Sequence, residues 1–335
     1  MKKLSDAIVF RSREDLLQIR CTPPAIHVDD GHDRAPVVWL SYLEQPHRPQ
    51  SYSPGYYSPH MIQSNRVGKI DVAAAREAAQ RVRRTHEMLV PFLREGRTLA
   101  EIDQEIARIL DTLDSKSCFI RYRAGGSMPP YPNHACLSVN DCVVHGTSEA
   151  HTQPLRPGDI LKVDIGLFHK GWVGDAAWTY AIAHASDTAL KLMACGRESL
   201  AEGIKELAPG NTLLSWARTV QHIVEQKHGF HCVRRLGGHG IGFKKLHGKP
   251  WVSNVVPTFP GEWPEALSMC EPGMLLAVEP MIGAGTGEIK DHPRAWPIHT
   301  ADASLAVHYE ADVLITDNGP LDLTEGMSEL PDIVG

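Results

Sequence analysis

From Asp71 onward the apolar positions recur with a helical period: Val72, Ala75, Ala79, Val82, His86, Leu89 and Phe92. Asp71 stands where an N-cap belongs and Gly96 where a helix stops. A second helix is predicted from Thr98, because Thr98-x-x-Glu101 is a capping box ahead of IDQEIARILDTL. The period then shortens. Cys136 to Gly146 and Asp159 to Gly171 are short, β-branched and bounded by Asn, Pro and Gly, so both read as strands. WVGDAAWTYAIA follows as the return strand of a hairpin, with His169, Lys170 and Gly171 in its turn.

Two more helices are predicted. One starts at Ser186 and ends before Pro209-Gly210; the other runs from an Asn211 or Thr212 cap to Gly229. FHCVRRL, GMLLAVEPMIG and SLAVHYEADVLITD are strand-like, and the Pro-rich stretch 253–273 reads as a long surface loop. The last dozen residues are acidic and are expected to fray. Helix–helix–strands therefore occurs twice. The reading is an α+β fold of two similar halves around one site.

Residues 1–69 differ in kind. Seven prolines between Cys21 and His60, interleaved with Tyr42, Tyr52, Tyr56 and Tyr57, resist regular helix or sheet. They are expected to form an extended arm, packed on the surface or serving as an interaction tail. The domain reading is thus an N-terminal extension over 1–69, a main folded unit over 70–325 and a tail over 326–335.

Composition narrows the function classes. The 335 residues carry a net charge of −6, which gives no electrostatic reason to expect nucleic acid or an anionic membrane as partner. No run is long and apolar enough to span a bilayer. The apolar run near the start, Ala7 to Phe10, is too short for a secretory signal. The 7 cysteines are scattered without any C-x-x-C, which argues against a cysteine zinc site or redox pair and for a reducing, cytoplasmic setting. Isolated histidines such as His27, His32, His184, His222 and His228 read as surface or satisfied polar residues.

Five residues carry more. Asp164 and Asp175 lie eleven apart on the two arms of the hairpin, where matching parity puts both carboxylates on one face. Acids placed together repel unless cations neutralise them. Glu279, in LLAVEP, and Glu310, in VHYEADVLI, lie in runs apolar enough to be buried, which is costly for an unpaired acid. His239 sits in GGHGIG, read as a tight glycine turn. A phosphate cradle is the competing reading of those glycines, but no G-x-G-x-x-G and no Gly-Lys-Ser/Thr is present. Four carboxylates and an imidazole suit two hard or borderline divalent ions.

With these motifs in hand the chain resembles the metallopeptidases of the pita-bread fold, most of all the type I methionine aminopeptidases. The resemblance spans roughly Asp71 to Gly319 and rests on VVHG, GDILKVDIG, GWVGDAAWTY, GGHGIG, LHGKP, PGMLLAVEP and VHYEADVLITDNGP. It implies that Asp175 and Glu310 bridge two metal ions, that Asp164 chelates one and that His239 and Glu279 hold the other. It also implies a bridging water or hydroxide attacking the first peptide bond, Glu279 as proton carrier, His145 bonding the scissile amide region and His247 polarising the carbonyl. Tyr131, Cys136, His145, Leu246 and Trp296 match the pocket for the methionine side chain, with Leu246 where Phe is usual. The ion would be Mn, Fe, Co or Zn, as supply dictates. The substrate implied is the N-terminal methionine of nascent chains with a small second residue, handled by a monomer that docks on the ribosome if the arm serves that purpose. His247 follows His239 by one residue more than the family pattern, and His308 stands where Gln is common. Two alternatives stay open: a same-fold Xaa-Pro aminopeptidase or prolidase, and a non-catalytic binding protein on this scaffold.

Overall fold

The computed structural model describes residues 70–335. The reading of residues 1–69 as an extended arm lies outside the described residues. Helix α1 (Val72–Leu89) begins where Asp71 accepts the Ala74 N–H, and α2 (Leu99–Thr112) carries the full reciprocal capping box between Thr98 and Glu101. Strands β1 (Lys116–Ser117), β2 (Cys136–Val139), β3 (Cys142–Val144), β4 (Ile160–His169) and β5 (Trp172–Ile182) follow. Then come α3 (Asp187–Lys205), capped by Ser186, and α4 (Leu213–Gln221), whose N-cap is Thr212. A wider π-helical turn, His222–Lys227, carries α4 on toward Gly229.

Eleven shorter strands close the chain: β6 (His231–Cys232), β7 (Gly237–Gly242), β8 (Lys245–Ser253), β9 (Leu275–Val278), β10 (Met281–Gly283) and β11 (Ile289–Lys290) come first. After them lie β12 (Ile298–Thr300), β13 (Ala306–His308), β14 (Ala311–Thr316), β15 (Gly319–Asp322) and β16 (Ile333–Val334).

The first half is a five-stranded sheet, β1-β4-β5-β16 with β2 also on β4, and α1 packs against β4 and β5. The helix comes close because Gly174 has no side chain: a Cβ there would lie 2.5 Å from the carbonyl oxygen of Ala78. The second half is the five-stranded sheet β15-β14-β9-β7-β8, with α3 against β15 and α4 against β8. This is the two-half α+β architecture that the resemblance implies. The two sheets meet through the Glu310 N–H donating to the Ala177 carbonyl at 3.0 Å and the Asp175 N–H donating to an Asp312 carboxylate oxygen at 2.9 Å.

Two expectations need correction. His239 is not in a turn: GGHGIG is strand β7 itself, paired with both β8 and β9. The glycines serve close approach instead, since a Cβ on Gly240 would lie 2.0 Å from the Lys249 carbonyl oxygen. The last residues do not all fray; Ile333 and Val334 pair in parallel with Ala181 and Ile182, and Val334 is buried. The stretch 253–273 is a loop, but Trp263 anchors it from inside by donating to the Trp251 carbonyl at 3.1 Å. Among the described residues no helix is long and apolar enough to cross a membrane, and the six described cysteines are free and buried.

Candidate metal centre

The hairpin of β4 and β5 delivers the first two acids. Asp164 pairs opposite Ala177 and Asp175 opposite Gly166, so the two carboxylates are diagonal neighbours on one face. The second sheet delivers the rest. His239 lies in β7, Glu279 directly follows β9, and Glu310 directly precedes β14. All five side chains are buried.

Their ligand atoms converge. His239 Nε2 is 3.9 Å from an Asp175 carboxylate oxygen and 3.7 Å from one of Glu279. Asp175, His239 and Glu310 form one group whose ligand atoms lie within 4.8 Å of one another; Glu279, His308 and Glu310 form another. Glu310 belongs to both. Asp164 falls in neither group and adjoins the cluster through Asp175. The Nδ1 of His239 faces the Gly240 carbonyl at 3.4 Å, which leaves Nε2 as the atom turned to the acids.

Burial pushes the Asp164 carboxyl up to about 7. Burial, then repulsion from Asp164, Asp312 and Glu279, raises Asp175 well above the usual range. Glu310 is raised for the same reasons, burial first and then Asp175, Glu279, Asp164 and Asp312. Glu279 is raised by burial and by Asp164. One oxygen each of Asp164 and Asp175 is buried without a hydrogen-bond partner. Acids this close, with orphaned oxygens and an imidazole lone pair turned toward them, fit divalent cations by number and type of donor.

Two more imidazoles border the cluster. His247 stacks edge-on against His239, ring centroids 4.5 Å apart, and its Nδ1 lies 2.7 Å from the Tyr122 hydroxyl. His145 holds a left-handed backbone at φ 57 and faces Trp296 edge-on at 6.2 Å. Burial lowers His145 to about 4; burial, then the His239 and His145 imidazoles, lowers His247 well below the ordinary value. On the stretch leading to His247 the β7–β8 register shifts between His239 and Gly240 and again between Gly240 and Gly242.

An apolar wall adjoins the acids. Cys136 pairs directly opposite Asp164. Tyr131 packs edge-on against Trp296 at 5.2 Å and donates to the Gly146 carbonyl at 2.7 Å. Leu246 is buried in the same continuous core as Tyr131, Cys136 and Trp296. Sequence reasoning missed Tyr122 and Asp312, and treated His308 only as a departure. His308 Nε2 lies 3.1 Å from a Glu279 oxygen, and Asp312 accepts from the Asp175 backbone. The available signal was parity: His308, Glu310 and Asp312 alternate along one run, so they share one side of it.

Residues 73–317 match metallopeptidase family M24. The methionine aminopeptidase of Clostridium acetobutylicum is 37% identical over 254 residues, covering 76% of this chain and 96% of that protein. Methionine aminopeptidase 1 of Bacillus subtilis is 33% identical, covering 74% of this chain and 94% of that protein. The crystal structure of the Thermotoga maritima methionine aminopeptidase superposes with a TM-score of 0.67 at 31% identity, covering 75% of this chain and 95% of that one. An Xaa-Pro dipeptidase from Bacillus anthracis, 18% identical with a TM-score of 0.58 over 78% of this chain and 62% of its own, shares the fold. With its paired sheets, its buried acid–imidazole cluster and relatives that align over nearly their whole length, the chain belongs to metallopeptidase family M24, among the methionine aminopeptidases.

Proposed function

We propose that this chain removes the N-terminal methionine from polypeptides, as a cytoplasmic monomer whose catalytic unit includes strand β16 beyond the expected 70–325. The observation that carries the reading is the shared wall between the acid cluster and the aromatic slot. Cys136 and Asp164 are cross-strand partners, and Tyr131, Trp296 and His145 pack edge-on beyond them. A polarizable apolar slot of that kind suits an unbranched thioether, and a methionine side chain seated there would bring the first peptide bond to the cluster.

Asp164, Asp175, His239, Glu279 and Glu310 would hold two divalent ions, Mn, Fe, Co or Zn. Ions bound there would supply a lowered pKa for water and Lewis-acid polarisation of the scissile carbonyl. The chain's own groups do the rest. Glu279 accepts a proton at its carboxylate and returns it to the leaving amine. His247 donates to the carbonyl oxygen, where negative charge develops. His145 hydrogen-bonds the scissile amide, and Leu246 completes the slot. Residues 1–69 would serve as an interaction extension; deleting residues 1–60 and following turnover, stability and ribosome co-sedimentation tests that role.

The deciding experiment is turnover of Met-Ala-Ser and Ala-Pro-Ala by purified protein loaded with each ion in turn, beside an Asp175→Asn control. Release of methionine by the parent protein and not by the control is expected. No release with any ion, or equal release by the control, overturns the reading. A preference for Ala-Pro-Ala moves the chain to an Xaa-Pro peptidase.

A further inference from the structure

The backbone fixes Tyr122 before its side chain makes any contact. Arg121 turns the chain at φ 63, the Tyr122 N–H donates to Phe119 at 2.7 Å, and a reciprocal pair of bonds ties this stretch to Tyr131. That pair is Arg121 N–H to the Tyr131 carbonyl and Tyr131 N–H to the Tyr122 carbonyl, each 2.8 Å. The Tyr122 ring then packs edge-on against His247 at 5.1 Å and tilts against Trp296 at 6.5 Å. Its hydroxyl ends 2.7 Å from Nδ1 of His247.

An imidazole in this place has two neutral forms. If Nδ1 carried the hydrogen, it would donate to the Tyr122 oxygen and Nε2 would be a bare lone pair, which repels a developing oxyanion. If Tyr122 donates to Nδ1, the hydrogen sits on Nε2 and can be given to the substrate. The site contains the contrasting arrangement. His239 faces a backbone carbonyl, which can only accept, so its hydrogen is on Nδ1 and Nε2 is free for a cation. His247 faces a hydroxyl, which can donate. Burial raises the Tyr122 phenol above its ordinary value, so that proton stays in place.

We infer that Tyr122 is a positioning residue that sets the tautomer of His247: its hydroxyl donates to Nδ1 and leaves the hydrogen on Nε2 for the scissile carbonyl oxygen. The value of that tautomer to catalysis rests on the role proposed above for His247; the tautomer itself does not.

The test is nitrogen-15 NMR of zinc-loaded, histidine-labelled protein, with the His247 signals assigned by their loss in His247→Asn. The expected parent spectrum shows an unprotonated Nδ1 and a protonated Nε2 at His247. Tyr122→Phe, which keeps the ring packing, is expected to turn this into a tautomer mixture and to lower kcat by roughly 10- to 100-fold, with KM within about threefold. A proton on Nδ1 in the parent protein, or an unchanged His247 spectrum in Tyr122→Phe, overturns the inference, and the parent spectrum decides even where the variant folds poorly. A shifted tautomer with full turnover in His247→Asn would uphold the tautomer setting and refute the proposed role of His247.

Discussion

The backbone N–H of Asp175 donates to a carboxylate oxygen of Asp312 at 2.9 Å, and the two residues are 137 positions apart. This bond joins the two halves at Asp175, one of the acids of the buried cluster. Asp312 is itself buried, and the Asp175 N–H is the one influence that offsets the burial pushing its carboxyl upward. Asp312→Asn keeps an acceptor oxygen for that N–H and removes a charge that repels Asp175 and Glu310. Asp312→Ala leaves a buried N–H unsatisfied, at a cost of about 1–3 kcal/mol. Urea unfolding of the two variants is therefore expected to rank Ala well below Asn. Equal loss in both would show that the charge of Asp312, and not its acceptor, holds the halves together.

Local signals were legible in the chain and long-range ones were not. The Asp71, Thr98 and Ser186 caps are visible within four residues of sequence, and each forms as read. The Asp164–Asp175 pairing was legible because a hairpin fixes parity. His239 was misplaced in a turn because glycine signals both turns and close approach, and only the neighbouring strands decide which applies. Tyr122 lies in RYRAGG, which has no period, and its partner His247 is 125 residues away. Asp312 alternates with Glu310 along one run, but its partner Asp175 is 137 residues away.

Metal removal is expected to destabilise the protein more as pH rises. Without cations, Asp164, Asp175, Glu279 and Glu310 all have folded-state pKa values above their unfolded ones. The apo fold then binds more protons than the unfolded chain. Their contribution is fully present below the unfolded carboxylate pKa and is lost as pH rises through the folded values, which for Asp164 means about 7. Melting temperatures with and without chelator should diverge between pH 5 and pH 8. A gap that stays constant across that range would rule out charge repulsion as the origin of the loss.

His86 predicts a pH dependence of the opposite sign, away from the metal centre. It is fully buried in α1, its Nδ1 is 2.9 Å from the Tyr180 hydroxyl, and burial lowers it to about 4. A histidine lowered in the fold contributes stability that is fully present above its unfolded pKa and is lost as pH falls toward the folded one. Between pH 7 and pH 5 this amounts to about 2 kcal/mol. Metal-loaded protein should lose that stability on acidification, and His86→Gln should show a slope flatter by that amount in urea unfolding. An unchanged slope would mean that His86 binds its proton as readily in the folded protein as in the unfolded chain.

His308 is expected to govern metal affinity through Glu279. Its Nε2 lies 3.1 Å from one Glu279 oxygen and 4.0 Å from one of Glu310. Thr179 holds its backbone from both sides, donating its hydroxyl to the His308 carbonyl at 2.7 Å and accepting the His308 N–H at 3.1 Å. The imidazole is buried and burial lowers it to about 3, so at neutral pH it has a single ring N–H to give. Given to Glu279, that hydrogen fixes the carboxylate's rotation and leaves its other oxygen toward His239. Outer partners of this kind are worth about 10- to 100-fold in metal affinity. His308→Gln can keep a donor and should stay near the parent; His308→Leu removes it and should bind Mn or Zn about 10- to 100-fold more weakly in calorimetric titration. If the Leu variant binds as tightly as the parent, Glu279 is held by its own strand end and His308 only fills space.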